Sequence, residues 1–377
     1  MISKDLVSSY FYRRVNRFVI ECTINDRLVQ AYLPNPGRLW ELLQEGSEVL
    51  LVKKKNPLKF QYHAISVKSN NSMVLLDTHY NNNVARTLIE NKKIDVLKDY
   101  TIQRQEFSVR KSRFDFLLER GEEKLILEVK SCTLFFNNLA MFPDAPSTRA
   151  KRHVEELAEL ATNGIKTALL FIVYSSDINY FLPEFNVDVE FAESLYKNRN
   201  NIIVEAIGIK NFMVSKKEIE VRKLYIPWEV LKNKLINSGN YLLIIFLNEN
   251  KSINIGHLGY IYFEVGYYIY VGSSMRNLKQ RINRHKGKIK KLFWHIDYLL
   301  QDAKLLHVLP IRSETNLECS VAREIKNIAN KTISYFGSSD CNCASHLYKF
   351  DRSPVNNSKF INILLRYRMG LLIDSIS

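Results

Sequence analysis

The stretch that most constrains this chain is SRFDFLLERGEEKLILEVKS, residues 112–131. Two apolar runs flank a Gly-Glu-Glu turn, the pattern of a β-hairpin. Successive side chains of a strand point to opposite faces. The spacing therefore predicts Phe114, Phe116 and Leu118 on one face, with Arg113 and Asp115 on the other. On the return run Leu125, Leu127 and Val129 share a face, and Glu128 and Lys130 the opposite one. Pairing of the two strands would bring Asp115, Glu128 and Lys130 together. Two carboxylates beside an ammonium can hold a divalent metal and orient a water against a phosphodiester. The same residues also fit a solvated, charged sheet face, the commoner outcome for a Glu-x-Lys standing alone. Asp115 weighs against that outcome, because a charge inside a bulky apolar run is costly to bury without a partner.

A length of 377 residues is enough for two or three domains, and 46% hydrophobic with 25% charged residues supports a real core. The net charge of +15 favours a polyanionic partner, nucleic acid first and an anionic membrane surface second. Residues from 238 onward carry +9 of it against +6 for the longer first part, so the C-terminal third is the more basic per residue. No apolar run reaches the ~18 residues that span a bilayer. The start, MISKDLVSSYFYRR, lacks the apolar core of a signal peptide. Five sparse cysteines do not make a disulfide framework. The expectation is a cytoplasmic protein with no membrane association.

Residues 1–80 read as five short strands separated by turn chemistry at Asn25-Asp26, Pro34-Asn35-Pro36-Gly37, Glu45-Gly46-Ser47 and Asn70-Asn71. A small barrel of the OB type, a frequent nucleic-acid platform, fits this pattern, as does any other small all-β domain. PNPGRLW either presents Asn35 and Arg38 to phosphate or is a rigid loop leading into a helix around LWELL. From residue 81 the pattern becomes helix, hairpin, helix, buried strand, helix and strand, an α/β core around a mixed sheet. The first helix, NNNVARTLIENKKI, carries Val84, Leu88 and Ile89 on one side, an Asn cluster suited to capping, and Glu90. A second, KRHVEELAELATNG, ends at Gly164, and KTALLFIVY has the continuous apolarity of a strand buried on both faces.

YRRVNRFVIEC, PNPGRLWELL, SRFDFLLE, LEVKSCTLF and FPDAPSTRAKRHVEEL, in this order and spacing, resemble the sugar fermentation stimulation protein A (SfsA) family over residues 1 to about 227. Where that family typically has Asn-Thr-Gly-Ser-Met, this chain has Asn-Pro-Gly-Arg-Leu, Asn35 to Leu39. The resemblance implies an OB-like domain (1–80), a PD-(D/E)XK nuclease-type domain (81–227) and DNA binding. Asp115 and Glu128 would then ligand Mg²⁺ or Mn²⁺, with Lys130 orienting the attacking water or neutralising phosphorane charge. Glu90 would be a helix-borne acidic partner. Arg149, Lys151, Arg152 and His153 would approach backbone phosphates, although Arg149 and His153 equally suit solvated positions at a helix start.

After a connector at 228–240, a further module covers 241–353, with an extension at 354–377. YYIYVG reads as a strand with a tight Gly-Ser-Ser exit. Residues 276–291 hold eight Lys or Arg and no acid, with an apolar seam at Leu278, Ile282, Ile289 and Leu292. A one-sign run lacks internal ion pairs, which favours a phosphate-facing helix bearing Arg276, Lys279, Arg284 and His285. Tyr270-Val271-Gly272 and Asn277 to His285, followed by WHIDYLL, LECSVAREI and FGSSDCNCASHL, resemble a small branch of the GIY-YIG nuclease superfamily. By that resemblance the fold is a small α/β domain. Tyr241 and Tyr270 would be hydroxyls near a scissile phosphate, Arg281 a charge stabiliser and Glu318 a metal carboxylate. Gly239-Asn240-Tyr241 stands in place of Gly-Ile-Tyr, and the gap to Tyr270 is long. Nucleic-acid binding is therefore the firmer expectation for this module.

Cys341-x-Cys343-x-x-His346 is half of a Zn²⁺ site and would need a fourth ligand such as Cys319 or His295; buried thiols in a tight turn fit it better. The leading function is a metal-dependent nuclease acting on DNA. The alternative is a non-catalytic DNA-binding or regulatory protein on a nuclease fold, and RNA is a further substrate class.

Overall fold

The computed structural model describes residues 6–376 apart from 56–58, 70–71, 110–111, 176, 211, 214–218 and 288–290. Two compact units divide between Lys232 and Asn233. The first begins with β1 (Leu6–Asn16), β2 (Val19–Ile24), β3 (Arg27–Tyr32), β4 (Glu48–Lys53) and β5 (Tyr62–Ser69), with β6 (Ser72–Leu75) beside β5. Asn25 and Asp26 take φ of 46° and 61°, the left-handed pair that a two-residue hairpin demands. Antiparallel pairing runs β3-β2-β1-β4-β5, and a parallel contact of Ala31 with Tyr62 and Tyr32 with His63 closes the ring into an OB-like barrel.

Next come α1 (Asn81–Glu90), β7 (Thr101–Val109), β8 (Ser112–Arg120), β9 (Glu123–Cys132), β10 (Leu134–Phe136) and β11 (Leu139–Phe142). They are followed by α2 (Thr148–Thr162), β12 (Lys166–Val173), β13 (Tyr180–Pro183), α3 (Val189–Asn198), β14 (Ile203–Lys210) and β15 (Glu220–Lys223). Among the described residues the main sheet runs β15-β14-β12-β9-β8-β7, parallel from β9 through β12 to β14 and antiparallel outside them. β12 is apolar on both faces because both are covered. Ala168, Leu170 and Ile172 join Phe116, Leu127 and the barrel's Ile20, Leu51 and Val67 in one core. Leu169, Phe171 and Val173 pack beneath α2 and α3 with Leu157 and Phe191. Barrel and sheet thus share a core rather than standing as separate globules.

Three local expectations are corrected. Phe114 does not share a face with Phe116 and Leu118; it packs with Leu117 and Ile126 under the helices. The described β8–β9 pairing ends at Phe116 and Leu127, so Phe114 lies beyond the paired part of the hairpin. Asn81–Asn83 do not cap α1, whose N-cap is Tyr80 without a side-chain bond. The helix expected around LWELL is a turn segment. α2 is capped as its sequence suggests. Ser147 Oγ accepts from Ala150 N–H at 3.1 Å, and Gly164 leaves the helix at φ +84°.

The expected connector contains helix α4 (Trp228–Lys234), and its last residues open β16 (Gly239–Leu247). The second unit continues with β17 (Lys251–Asn254), β18 (Tyr260–Phe263), β19 (Gly266–Ser274), α5 (Leu278–Lys286), α6 (His295–Asp302) and β20 (Lys304–Arg312). It closes with α7 (Glu318–Lys326), β21 (Lys331–Thr332), β22 (Leu347–Phe350), α8 (Ser358–Leu365) and α9 (Leu371–Ile376). Its sheet, β20-β16-β19-β22-β21, is antiparallel throughout. The separate hairpin β17–β18 takes up the extra length between Tyr241 and Tyr270. α5 buries Leu278 and Ile282 and stops before Gly287, whereas Ile289 of the expected seam lies outside the described residues. Among the described residues no helix is long and apolar enough to cross a membrane.

Candidate active site

Where β8 and β9 part, the Asp115 carboxylate takes over backbone hydrogen bonding. Its Oδ2 accepts from Val129 N–H and its Oδ1 from Asn82 Nδ2, both at 2.7 Å. Burial, then the neighbouring Glu128 charge, push the Asp115 carboxyl up to about 6. Glu128 is 2% exposed. Its Oε1 meets Lys130 Nζ and, at 2.7 Å, His153 Nδ1. Burial alone would raise this carboxyl, but the Lys130 charge and the His153 contact outweigh it and hold Glu128 below its ordinary value. Glu128 Oε2 is buried with no hydrogen-bond partner among the described residues. A bare buried oxygen costs about 1–3 kcal/mol or more. Two carboxylates, one with an open buried oxygen, form a donor set that fits a hard divalent cation.

Asp115, Glu128 and Lys130 line one cavity of about 630 Å³. Other walls come from the barrel loop at Asn35–Gly37, the start of α1 at Asn81–Asn83, the loop from Phe142 to Ser147, and Arg149 at the start of α2. The barrel loop is held from behind. Arg14 donates to the carbonyls of Gly37 and Arg38 at 2.7 Å and of Asn35 at 3.1 Å. Leu39 N–H donates to Asp144 Oδ2 at 3.3 Å, and a Cβ on Gly37 would collide with that carboxylate.

The other sequence candidates are placed as follows. Asn35 is buried, its Oδ1 accepting from Gly37 N–H at 2.9 Å, so it shapes the loop. Arg38 lies over the Trp40 ring at 4.9 Å, among the charges of Asp144, Glu184 and Glu41, and does not line the cavity; Arg17 does. Glu90 is exposed, paired with Arg86 Nε at 2.7 Å, and away from the cavity. The helix-borne partner of Asp115 is Asn82. Lys151 pairs with Glu190 at 3.2 Å and Arg152 with Glu156 at 3.8 Å, also off the cavity. His153 is 1% exposed and packs edge-on to Phe114 at 5.5 Å. Arg149 Nε donates to its Nε2 at 3.4 Å, which leaves Nδ1 as the N–H facing Glu128. His153 is therefore turned inward onto Glu128 and does not line the cavity.

The second unit gathers Tyr241, Tyr270, Arg281 and Glu318, with the two tyrosines buried and Arg281 and Glu318 half-buried. Tyr241 is 1% exposed; its hydroxyl meets His285 Nε2 at 2.9 Å, and its ring lies 6.4 Å from Tyr270. Burial raises both phenols above their ordinary value. Arg281 stacks on Trp294 at 3.9 Å. Arg284 is tied to Asp297 at 2.7 Å, and His285 is buried, so neither is a free phosphate contact; Arg276 and Lys279 are exposed. Glu318 Oε2 accepts from Ser273 Oγ, and Oε1 lies 2.8 Å from His346 Nδ1. Asn240, at the departure from Gly-Ile-Tyr, accepts from Leu317 N–H at 3.0 Å and donates to the Thr315 carbonyl at 3.3 Å. It pins the loop that delivers Glu318.

Family models match in three stretches: the SfsA N-terminal OB domain over residues 13–76, the sugar fermentation stimulation protein RE domain over 79–215, and a domain of unknown function, DUF123, over 240–368. A sugar fermentation stimulation protein homologue of Methanosphaera stadtmanae is 38% identical over 203 residues, 52% of this chain and 84% of that protein. The chain belongs to the SfsA family. A second family member, from Methanothermobacter thermautotrophicus, is 35% identical over 196 residues, covering 52% of this chain and 82% of its own length. The solved structure of Pyrococcus furiosus SfsA in complex with Ca²⁺ superposes with a TM-score of 0.55 at 29% identity, covering 60% of this chain and 97% of that one. These two relatives cover about half of the chain, and the DUF123 match takes up residues 240–368.

Proposed function

We propose that this SfsA-family chain is a divalent-metal-dependent phosphodiester hydrolase acting on nucleic acid, DNA in the first instance, with its chemistry at Asp115, Glu128 and Lys130. The observation that carries this reading is the bare, buried Oε2 of Glu128 on a cavity shared with Asp115. The Ca²⁺ complex of the Pyrococcus furiosus relative supports a site for an oxygen-seeking cation in the family. Asp115 and Glu128 would hold Mg²⁺ or Mn²⁺. Such an ion supplies Lewis-acid stabilisation of phosphoryl oxygens and a water of lowered pKa.

The chain's own groups divide the remaining work. Asn82 and the Val129 amide fix Asp115, while His153 and Lys130 keep Glu128 ionised and oriented. Lys130 would offset charge developing on phosphorus. Arg17, Arg113 and Arg149 line the cavity, where they can neutralise backbone phosphates. The net charge of +15 favours encounter with a polyanion. In the second unit, the reading is a GIY-YIG-like module that binds nucleic acid through the exposed Arg276 and Lys279 of the α5 region and does not cleave it.

The test incubates the full chain with Mg²⁺ or Mn²⁺ and labelled single-stranded, double-stranded and branched DNA and RNA. Metal-dependent cleavage is expected, falling by about 10²-fold or more in Asp115→Ala and Glu128→Gln and persisting in Arg281→Ala. Salt-sensitive binding without cleavage of any substrate would return the chain to a non-catalytic DNA-binding role.

A further inference from the structure

Cys319, Cys341, Cys343 and His346 each offer one ligand atom, and the four atoms lie within 4.8 Å of one another. Cys319 is the second residue of α7, the other two cysteines sit in the turn before β22, and His346 immediately precedes that strand. All three thiols are free and partly exposed, while His346 is 1% exposed. We propose that these residues bind one Zn²⁺ as a closed structural site in the second unit, independent of the carboxylate site in the first.

Three observations carry the proposal. The donor set is three soft sulfurs and an imidazole, which selects Zn²⁺ over the oxygen-seeking Mg²⁺ or Ca²⁺. The spacing fits: Cys341 Sγ and His346 Nε2 are 3.4 Å apart. A tetrahedral ion with Zn–S near 2.3 Å and Zn–N near 2.05 Å requires about 3.6 Å along that edge. Finally, the imidazole is supported from outside. Among the described residues His346 Nδ1 is buried without a hydrogen bond and lies 2.8 Å from Glu318 Oε1, a carboxylate itself held by Ser273 and within reach of that N–H. A carboxylate behind the second ring nitrogen is how metal-bound histidines are oriented. Backbone bonds from Tyr335 N–H to the Ala344 carbonyl and from His346 N–H to the Phe336 carbonyl, both 2.8 Å, already fix the turn that carries three of the ligands. His295, the other candidate fourth ligand, instead accepts from Gly337 N–H at 3.0 Å.

Four protein ligands leave no open position, so the ion would stitch the α7 start to the β22 turn and take no part in cleavage. The test measures metal in the full-length protein, purified reduced from zinc-replete culture without chelator. One Zn²⁺ per chain is expected in the wild type and in Glu128→Gln, and none in the Cys341→Ser/Cys343→Ser double variant. Co²⁺ exchanged into the wild type should give thiolate-to-metal charge transfer and the visible bands of a tetrahedral site. Glu318→Gln should retain the stoichiometry with about 10–100-fold weaker affinity. If the double variant does not fold, the wild-type zinc content and cobalt spectrum decide alone. Wild type without zinc and without the cobalt signature, or with a disulfide among these cysteines, would overturn the proposal.

Discussion

Glu128, buried, and Glu318, half-buried, are both carboxylates close to a histidine, 2.7 Å from His153 and 2.8 Å from His346. Their remaining oxygens differ. Glu318 Oε2 is satisfied by Ser273, whereas Glu128 Oε2 is buried, bare and on a cavity shared with a second acid. A carboxylate with an open oxygen has coordination to give. Asp115, whose oxygens each accept one hydrogen bond, still has lone pairs for a cation on the same cavity, whereas among the described residues Glu318 has no second acid beside it on such a cavity. The comparison supports the proposed chemistry in the first unit and a non-catalytic role for the second, although motif resemblance alone marks both as nuclease sites.

The largest expected effect breaks the comparison at its centre. Glu128→Gln should abolish metal-dependent cleavage, and Glu318→Gln should leave it within a few-fold of wild type. Equal losses in a turnover assay would refute the asymmetry. Next comes the histidine. His153→Ala removes the Nδ1 contact and leaves Glu128 Oε1 under-satisfied, which predicts about 10–100-fold weaker Mn²⁺ binding by titration. It also predicts roughly 1–3 kcal/mol lost in denaturant unfolding.

The pH dependence is a third test. Metal binding needs ionised Asp115, so affinity should fall as pH drops through about 6. Metal-free stability should move the other way. The folded carboxyl takes up its proton more readily than the ordinary value of 3.8, so folding gains as pH falls through about 6. Glu128 opposes this only below its ordinary 4.5, because its folded value is lowered. Asp115→Asn should flatten the stability profile between about 6 and 4.5. Smaller still is Arg149→Ala, expected to weaken DNA binding uniformly and reduce the salt slope by about 1. Glu90→Ala, at an exposed ion pair, should change neither binding nor cleavage and cost under about 0.5 kcal/mol.

What was legible in the chain follows from periodicity. The hairpin, the doubly buried β12 run and the turn-separated strands of the barrel repeat at short range, so their elements could be read directly. What was not legible depends on contacts distant in sequence. Glu90 lies eight residues along α1 from Asn82, about 12 Å at 1.5 Å per residue, and Asp115 meets only the near end of that helix. The asparagine run was visible, but composition cannot tell a cap from a ligand to a distant strand. Likewise His153 reads as the start of a basic helix until folding turns it inward onto Glu128. Cys319 becomes a partner of Cys341 and Cys343 only because α7 and the β22 turn meet.

The most direct measurement is a crystal of the full chain soaked in Mn²⁺, with anomalous scattering locating the ion. The account predicts a peak within coordination distance of Asp115 and of Glu128 Oε2, lost in Glu128→Gln, and none at Glu318. Manganese at Glu318, or none beside Asp115 and Glu128 at saturating concentration, would contradict it.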